Sequence, residues 1–228
     1  MIRVVLFGAT GMIGQGVLRE CFADPEVERV LSVVRAPTGI QHYKLVEMVH
    51  PNFHDFTTVS AGLVGYHVCL FCLGVSSAGM SEAEYTKITY DLTIDVARKM
   101  PRGIAFVYVS GAGTGGAAMW ARVKKRTEDE LLKMFEQAYM FRPGYIQPLH
   151  GITSRTALYR VLYVFIKPLY PLFKNSKSVT DTDRIGRAMI NVARRGDSKR
   201  ILDPEDINRL ADRDPHARDP PDVPRHRP

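Results

Sequence analysis

The run "FGATGMIG" places Gly8, Gly11 and Gly14 between an apolar stretch and an amphipathic one at the head of the chain. Before it, "RVVLFG" (3–8) reads as a strand. After it, "MIGQGVLRECFA" (12–23) has helical periodicity and stops at Asp24-Pro25. A strand that turns straight into a helix this tightly leaves few architectures open. Gly8 suits a turn that needs unusual dihedrals, and Gly14 lets the helix pack close to the strand. Gly11 leaves the backbone bare at the helix N-terminus, where free N–H groups and the helix dipole favour a negative charge. In a strand–turn–helix setting this spacing predicts a dinucleotide held by its pyrophosphate.

The rest of the chain continues the alternation. "RVLSVVR" (29–35), "KLVEMVH" (44–50), "HVCLFCLG" (67–74), "IAFVYVSG" (104–111) and "AYMFRPG" read as strands, with helical patterns over 82–99 and 117–137. Short Val-, Leu- and Phe-rich strands separated by helices predict an α/β fold: a doubly wound, mostly parallel Rossmann sheet with helices on both faces. With no internal repeat and no linker before residue 205, residues 1–211 read as one domain, including a substrate-side segment at about 150–180. The Pro-, Asp- and Arg-rich stretch 212–228 has almost no core residues and predicts a disordered tail.

Composition narrows the function classes. The 228 residues carry a net charge of +7, and between Thr153 and Arg200 eleven Lys or Arg stand against three Asp. A basic balance raises nucleic acid as a partner, but no nucleic-acid motif or aromatic-interleaved basic patch accompanies it, so none is expected. An anionic cofactor, substrate or membrane surface fits the charge at least as well. Three cysteines form no disulfide framework. Cys69 and Cys72 spell C-x-x-C inside an apolar strand, where positions three apart face opposite ways, so packing is the expected role. No metal-ligand spacing occurs among the histidines, and no metal is expected. No secretory signal or membrane span is apparent, and a cytoplasmic setting is the expectation.

The second strand tests which dinucleotide fits. NAD sites end this strand with an acid that bonds the ribose 2′-hydroxyl. Here the strand ends "SVVRAP", with Arg35 in the acid's place, which favours NADP(H) over NAD(H).

The G-x-x-G-x-x-G spacing, "FCLG" (71–74), "YVSGAG" (108–113), Lys124 and "FRPGYI" (141–146) come in the order found in one family. Together they resemble the extended and atypical short-chain dehydrogenase/reductases. The likeness is greatest to the branch with Tat-interacting-protein-like oxidoreductases and bacterial epimerase-like proteins. The resemblance implies that Gly8, Thr10, Gly11, Met12, Ile13 and Gly14 wrap the pyrophosphate and that Arg35 meets the adenosine phosphate. It places Asn52 and Phe53, with Asp55 as a further candidate, at the adenine. Leu73, Gly74 and Val75 fall along the adenine-side ribose and phosphates. Ser110 takes the catalytic serine's place and Lys124 that of the lysine on the nicotinamide ribose, while Pro143, Gly144 and Tyr145 close over the carboxamide.

Two departures bear on the reaction. The family's catalytic tyrosine stands four residues before the lysine, and that position is Trp120. Thr89 stands near the place of an asparagine that supports the proton relay. An indole N–H donates a hydrogen bond but does not ionise usefully, so Trp120 cannot be a general acid. It reads either as packing or as the cap of a nicotinamide pocket whose proton donor has moved, with Tyr145 and Ser110 as candidate donors. Two functions stay open: an oxidoreductase or epimerase-like enzyme on a small carbonyl or alcohol, and a catalytically weak NADP(H)-binding regulatory protein. Arg160, Lys167 and Lys174 recur every seven residues in "LYRVLYVFIKPLYPLFKN". Residues 158–174 read as a substrate-side lid or homodimer contact, or as an interfacial segment on anionic membrane.

Overall fold

The computed structural model describes residues 1–53, 60–152 and 178–213. The basic segment 158–174, Asp55 and residues 214–228 of the expected tail lie outside the described residues. From the N-terminus the elements are β1 (Ile2–Phe7), α1 (Met12–Ala23), β2 (Val27–Val34), β3 (Leu45–Val49) and β4 (Val68–Phe71). There follow α2 (Glu82–Thr86), a π-helical turn (Lys87–Asp91), α3 (Leu92–Lys99), β5 (Ala105–Val109), α4 (Met119–Met134) and β6 (Ala138–Phe141). The C-terminal part adds β7 (Tyr145–Gln147), β8 (Val179–Asp181), α5 (Thr182–Arg195), β9 (Ile201–Leu202) and α6 (Pro204–Ala211).

Seven strands form one sheet in the order β3-β2-β1-β4-β5-β6-β9. Every described pairing in it is parallel. The predicted α/β architecture is therefore the observed one. β7 and β8 pair separately, also in parallel.

Alternation along the strands builds a core on each face. Val4, Leu6, Leu70, Val107 and Phe141 pack on one side with residues from α1, α5 and α6. Val5, Phe7, Phe71, Phe106 and Tyr108 pack on the other, with α3, Leu131 of α4 and Phe135. Cys69 belongs to this second core and Cys72 leans on the first, so the C-x-x-C pair does point to opposite faces. Burial pushes both thiols up, Cys72 to about 12, which leaves them protonated and unreactive.

On the aliphatic face α1 and α5 lie unusually close. A Cβ on Gly16 would stand 2.6 Å from the Thr182 Cβ, so only glycine fits at this crossing. At the far end of α1, the buried Lys44 donates to the carbonyls of Phe22 at 2.9 Å and Asp24 at 2.7 Å. A cation on the last carbonyls complements the helix C-terminus.

Strand order gives the fold its functional opening. The chain leaves β1 for α1 on one face and leaves β4 for α3 on the other, so the loops diverge between two neighbouring strands. Crevices of this kind, beyond the C-terminal ends of parallel strands, are where such sheets take ligands.

Candidate functional site

The glycine turn occupies one wall of that crevice. Gly8 has φ +85°, and a Cβ there would stand 2.7 Å from the Cys72 carbonyl carbon at the exit of β4. Both the dihedral and the close approach require glycine. A Cβ on Gly14 would stand 2.0 Å from the Gly8 carbonyl oxygen, so the first turn of α1 sits directly on the loop. Gly11 differs: its Cβ would meet only the Gly8 oxygen, at 3.3 Å. Gly11 is also the N-cap of α1, with no side-chain cap and no acid in the first turn. The helix therefore presents uncapped N–H groups to the crevice, with Thr10, Gly11, Met12 and Ile13 only half-buried. That donor set suits a phosphate or pyrophosphate.

Further along the sheet edge, Arg35 follows β2 directly and is exposed. Among the described residues no acid pairs with it. Past β3, Asn52 is exposed and Phe53 half-buried, its ring 6.0 Å from that of His50. Leu73, Gly74 and Val75 leave β4 beside the glycine turn; Gly74 has open space around its Cα, and Val75 is 43% exposed. These residues share one sheet edge, as a bound dinucleotide needs.

Buried charges characterise the region around β5, α4 and β6. The Lys124 ammonium donates to the Ser110 carbonyl. The Ser110 hydroxyl donates to Glu128 Oε1 at 2.6 Å and lies 3.1 Å from the Phe141 carbonyl. Glu128, fully buried, receives both Nε of Arg142 at 3.0 Å and Nη2 at 2.5 Å. The hydroxyl that the resemblance assigns to the reaction is thus turned into the protein. Burial lowers the Lys124 amine from 10.5 to about 8, with Glu128 pulling the other way.

Trp120 is half-buried and belongs to neither core cluster. Its six-membered ring lies 3.4 Å from where a Cβ on Gly113 would be, so it leans on the loop after β5. The Tyr145 hydroxyl donates to Gln147 Oε1 at 2.9 Å. The Pro143 carbonyl accepts the Ala112 N–H at 2.9 Å, tying the loops after β5 and β6 together. Gly144 packs on β8's lead-in, where a Cβ would stand 2.5 Å from the Ser178 oxygen. Thr89 is buried in the π-helical turn, and its carbonyl accepts from the Thr93 hydroxyl at 2.6 Å.

No family profile matches the chain. Among curated proteins it is 28% identical over 205 residues to the mitochondrial protein fmp52 of Aspergillus clavatus, spanning 84% of this chain and 86% of that one. To FMP52 of Chaetomium globosum it is 30% identical over 162 residues, 64% of this chain and 66% of the relative. Among solved structures it matches the PhqB reductase domain of Penicillium fellutanum with a TM-score of 0.62 at 16% identity, over 88% of this chain and 66% of the other. It matches the Bordetella bronchiseptica enzyme WbmH, solved with NAD+, with a TM-score of 0.61 at 14% identity, over 86% and 72%. The fold is the one these enzymes share. The curated relatives are named as mitochondrial proteins, which overturns the expectation of a cytoplasmic setting. That expectation rested largely on three cysteines without a disulfide framework, which speak for a reducing setting and not for a particular compartment. No helix of the described residues is long and apolar enough to cross a membrane.

Glu128 and Arg142 are the site residues that sequence reading misses. Their signal is nonetheless present. Ala121, Lys124, Glu128 and Leu131 share one stripe of α4, so two charges interrupt an otherwise apolar face and need partners or a task.

Proposed function

We propose that this chain binds NADP(H) across the ends of β1 and β4, as an atypical short-chain dehydrogenase-like protein acting on a small carbonyl or alcohol. The observation that carries this reading is the uncapped N-terminus of α1, set beneath the glycine turn and against the exit of β4. Met12 and Ile13 would offer backbone donors to the pyrophosphate beside the bare Cα of Gly11, whose own N–H donates to the Gly8 carbonyl at 2.9 Å, and Arg35 would meet a 2′-phosphate. Lys124 takes the nicotinamide ribose, and Leu73 to Val75 line the path between. The bound nicotinamide would supply or accept a hydride; the protein's part is to bind, orient and exclude water. The NAD+ bound to WbmH supports a nicotinamide dinucleotide here, and Arg35 is the reason for preferring the phosphorylated form.

A second reading is a catalytically weak NADP(H)-binding regulatory protein. The observation favouring it is that Trp120 holds the general acid's place while the Ser110 and Tyr145 hydroxyls donate to Glu128 and Gln147.

Fluorescence titration of wild type and Arg35→Ala with NADPH and NADH tests the cofactor. Wild type should prefer NADPH by about tenfold, the scale of one charge-assisted contact, and Arg35→Ala should remove the preference. Equal wild-type affinities would sink the NADP assignment.

A further inference from the structure

Ser110 is held at both its polar ends. Its carbonyl receives the Lys124 ammonium, and its hydroxyl donates to Glu128 at 2.6 Å. Glu128 is in turn fixed by two hydrogen bonds from Arg142, whose side chain is itself mostly buried. We propose that Glu128 is a positioning residue for Lys124: through the Ser110 hydroxyl it fixes the carbonyl that receives the Lys124 ammonium at the end of β5. Ser110 is then a positional link rather than a proton donor. What Lys124 meets beyond the protein rests on the NADP(H) reading; the arrangement that holds it does not.

Geometry and charge both require such a device. A lysine on a four-carbon stem has many rotamers, and presenting its amine at one place needs a fixed acceptor. Ser110 lies at the end of a buried strand, where its N–H still donates to the Phe141 carbonyl at 2.8 Å. Beyond it the chain turns through Gly111 and Gly113, both with positive φ, so the ladder fixes the N–H side of Ser110 and its carbonyl depends on the side-chain contacts. Glu128 is the charged group that acts on the amine, and further charged and titratable groups pack around Glu128 and its partner Arg142. Glu128 lies one turn on along α4, and Arg142 comes from the end of β6. Asp203, ahead of α6, and Asp129 act on Arg142. Tyr108 of β5 lies beside Glu128, with Tyr85 of α2 beyond it. Of these, Glu128 is the one that favours the charged form of Lys124 against burial.

The test reads Lys124 itself. Acetic anhydride labelling of the full chain, followed by mass spectrometry of the Lys124 peptide, gives its titration midpoint without any substrate. Wild type should titrate at about 8. Glu128→Gln, which removes the charge and keeps the shape, should lower the midpoint by about 1 in pH. Ser110→Ala leaves the Glu128–Arg142 pair intact and removes the link, together with the hydroxyl's contact with the Phe141 carbonyl. It should speed Lys124 labelling at neutral pH and weaken NADPH binding by about tenfold. If Glu128→Gln fails to fold because Arg142 is left unpaired, Ser110→Ala decides alone. Folded variants that label with the wild-type midpoint and rate overturn the proposal, and a serine that only donated a proton would give that result. NADPH that fails to protect Lys124 in wild type counts against the cofactor reading at this end, while the midpoints still decide the role of Glu128.

Discussion

The glycine turn and the Lys124 end lie along one sheet edge and are built from opposite materials. From Gly8 to Gly14 there is no ionisable side chain at all, and the donors are backbone N–H groups aimed by a helix. Around Lys124 the working parts are a lysine, a glutamate and an arginine drawn into the interior. The first region recognises charge by shape: it fails when an atom is added and is indifferent to pH. The second recognises position through charge, so it fails when a proton or a partner is lost. Changes that separate these two kinds of failure test the comparison.

The largest effect is expected at Gly14. Valine there would force its Cβ to 2.0 Å from the Gly8 carbonyl oxygen, a backbone atom that cannot swing aside, and the turn and helix cannot both keep their places. A loss of about 4 kcal/mol or more in urea denaturation is expected, at the far end of what single substitutions do. Gly11→Val should instead fold, since its Cβ needs only a few tenths of an ångström of give, and should lose NADPH binding. A well-folded Gly14→Val, or a Gly11→Val that still binds, would break the claim that the turn works by shape.

A smaller effect, with a pH signature, is expected at Lys124. Its folded midpoint is about 8 and its ordinary value 10.5, so between those limits the unfolded chain holds more protons than the folded one. Stability therefore rises with pH across that window, and below pH 8 burial of the ammonium costs its full amount. Lys124→Met should thus stabilise the protein at neutral pH by roughly 3 kcal/mol, a gain that fades from pH 8 upward and is gone near the unfolded midpoint. Melts across that range would show it. A gain that does not change with pH would mean that packing, not charge, sets the difference.

How far each region can be read in the sequence follows from the same contrast. The glycine turn is legible because its constraints are local: Gly8, Gly11 and Gly14 sit between two periodic segments, and α1 runs over the residues the pattern gives. β4 and β5 are legible because both of their faces are buried, although each is shorter than its apolar run. The C-terminal elements are harder to see. β9 is two residues long, and β7 and β8 are three each, too short to show a period. Neither α5 nor α6 is among the expected helices, although Asp181, whose carboxylate caps the Arg184 N–H, and Asp203 with Pro204 and Asp206 behind it mark their starts. Ser110, Glu128 and Arg142 are remote in sequence and meet only when β5, α4 and β6 pack. A motif comparison gives Ser110 its place but not the direction of its hydroxyl.

The smallest effect on the fold is expected at Trp120, where the two regions' logics meet. The indole is half-buried, touches Gly113 and joins neither core, so Trp120→Tyr should cost less than about 1 kcal/mol. Its chemical consequence is sharper. A phenol at this position stands one helical turn from Lys124, and an ammonium that close favours the phenolate and so draws the phenol toward useful acidity. General acid–base participation is typically worth about 10²- to 10⁴-fold in rate, so on the reductase reading the variant should gain turnover of simple carbonyls with NADPH. Adding Lys124→Met should abolish that gain, because the phenol then keeps an ordinary pKa. A folded, NADPH-binding Trp120→Tyr that gains nothing would place the regulatory reading ahead. A wild type that already turns over rapidly and loses nothing as Trp120→Phe would show that the proton arrives by another route, with the indole serving only to close the loop over Gly113.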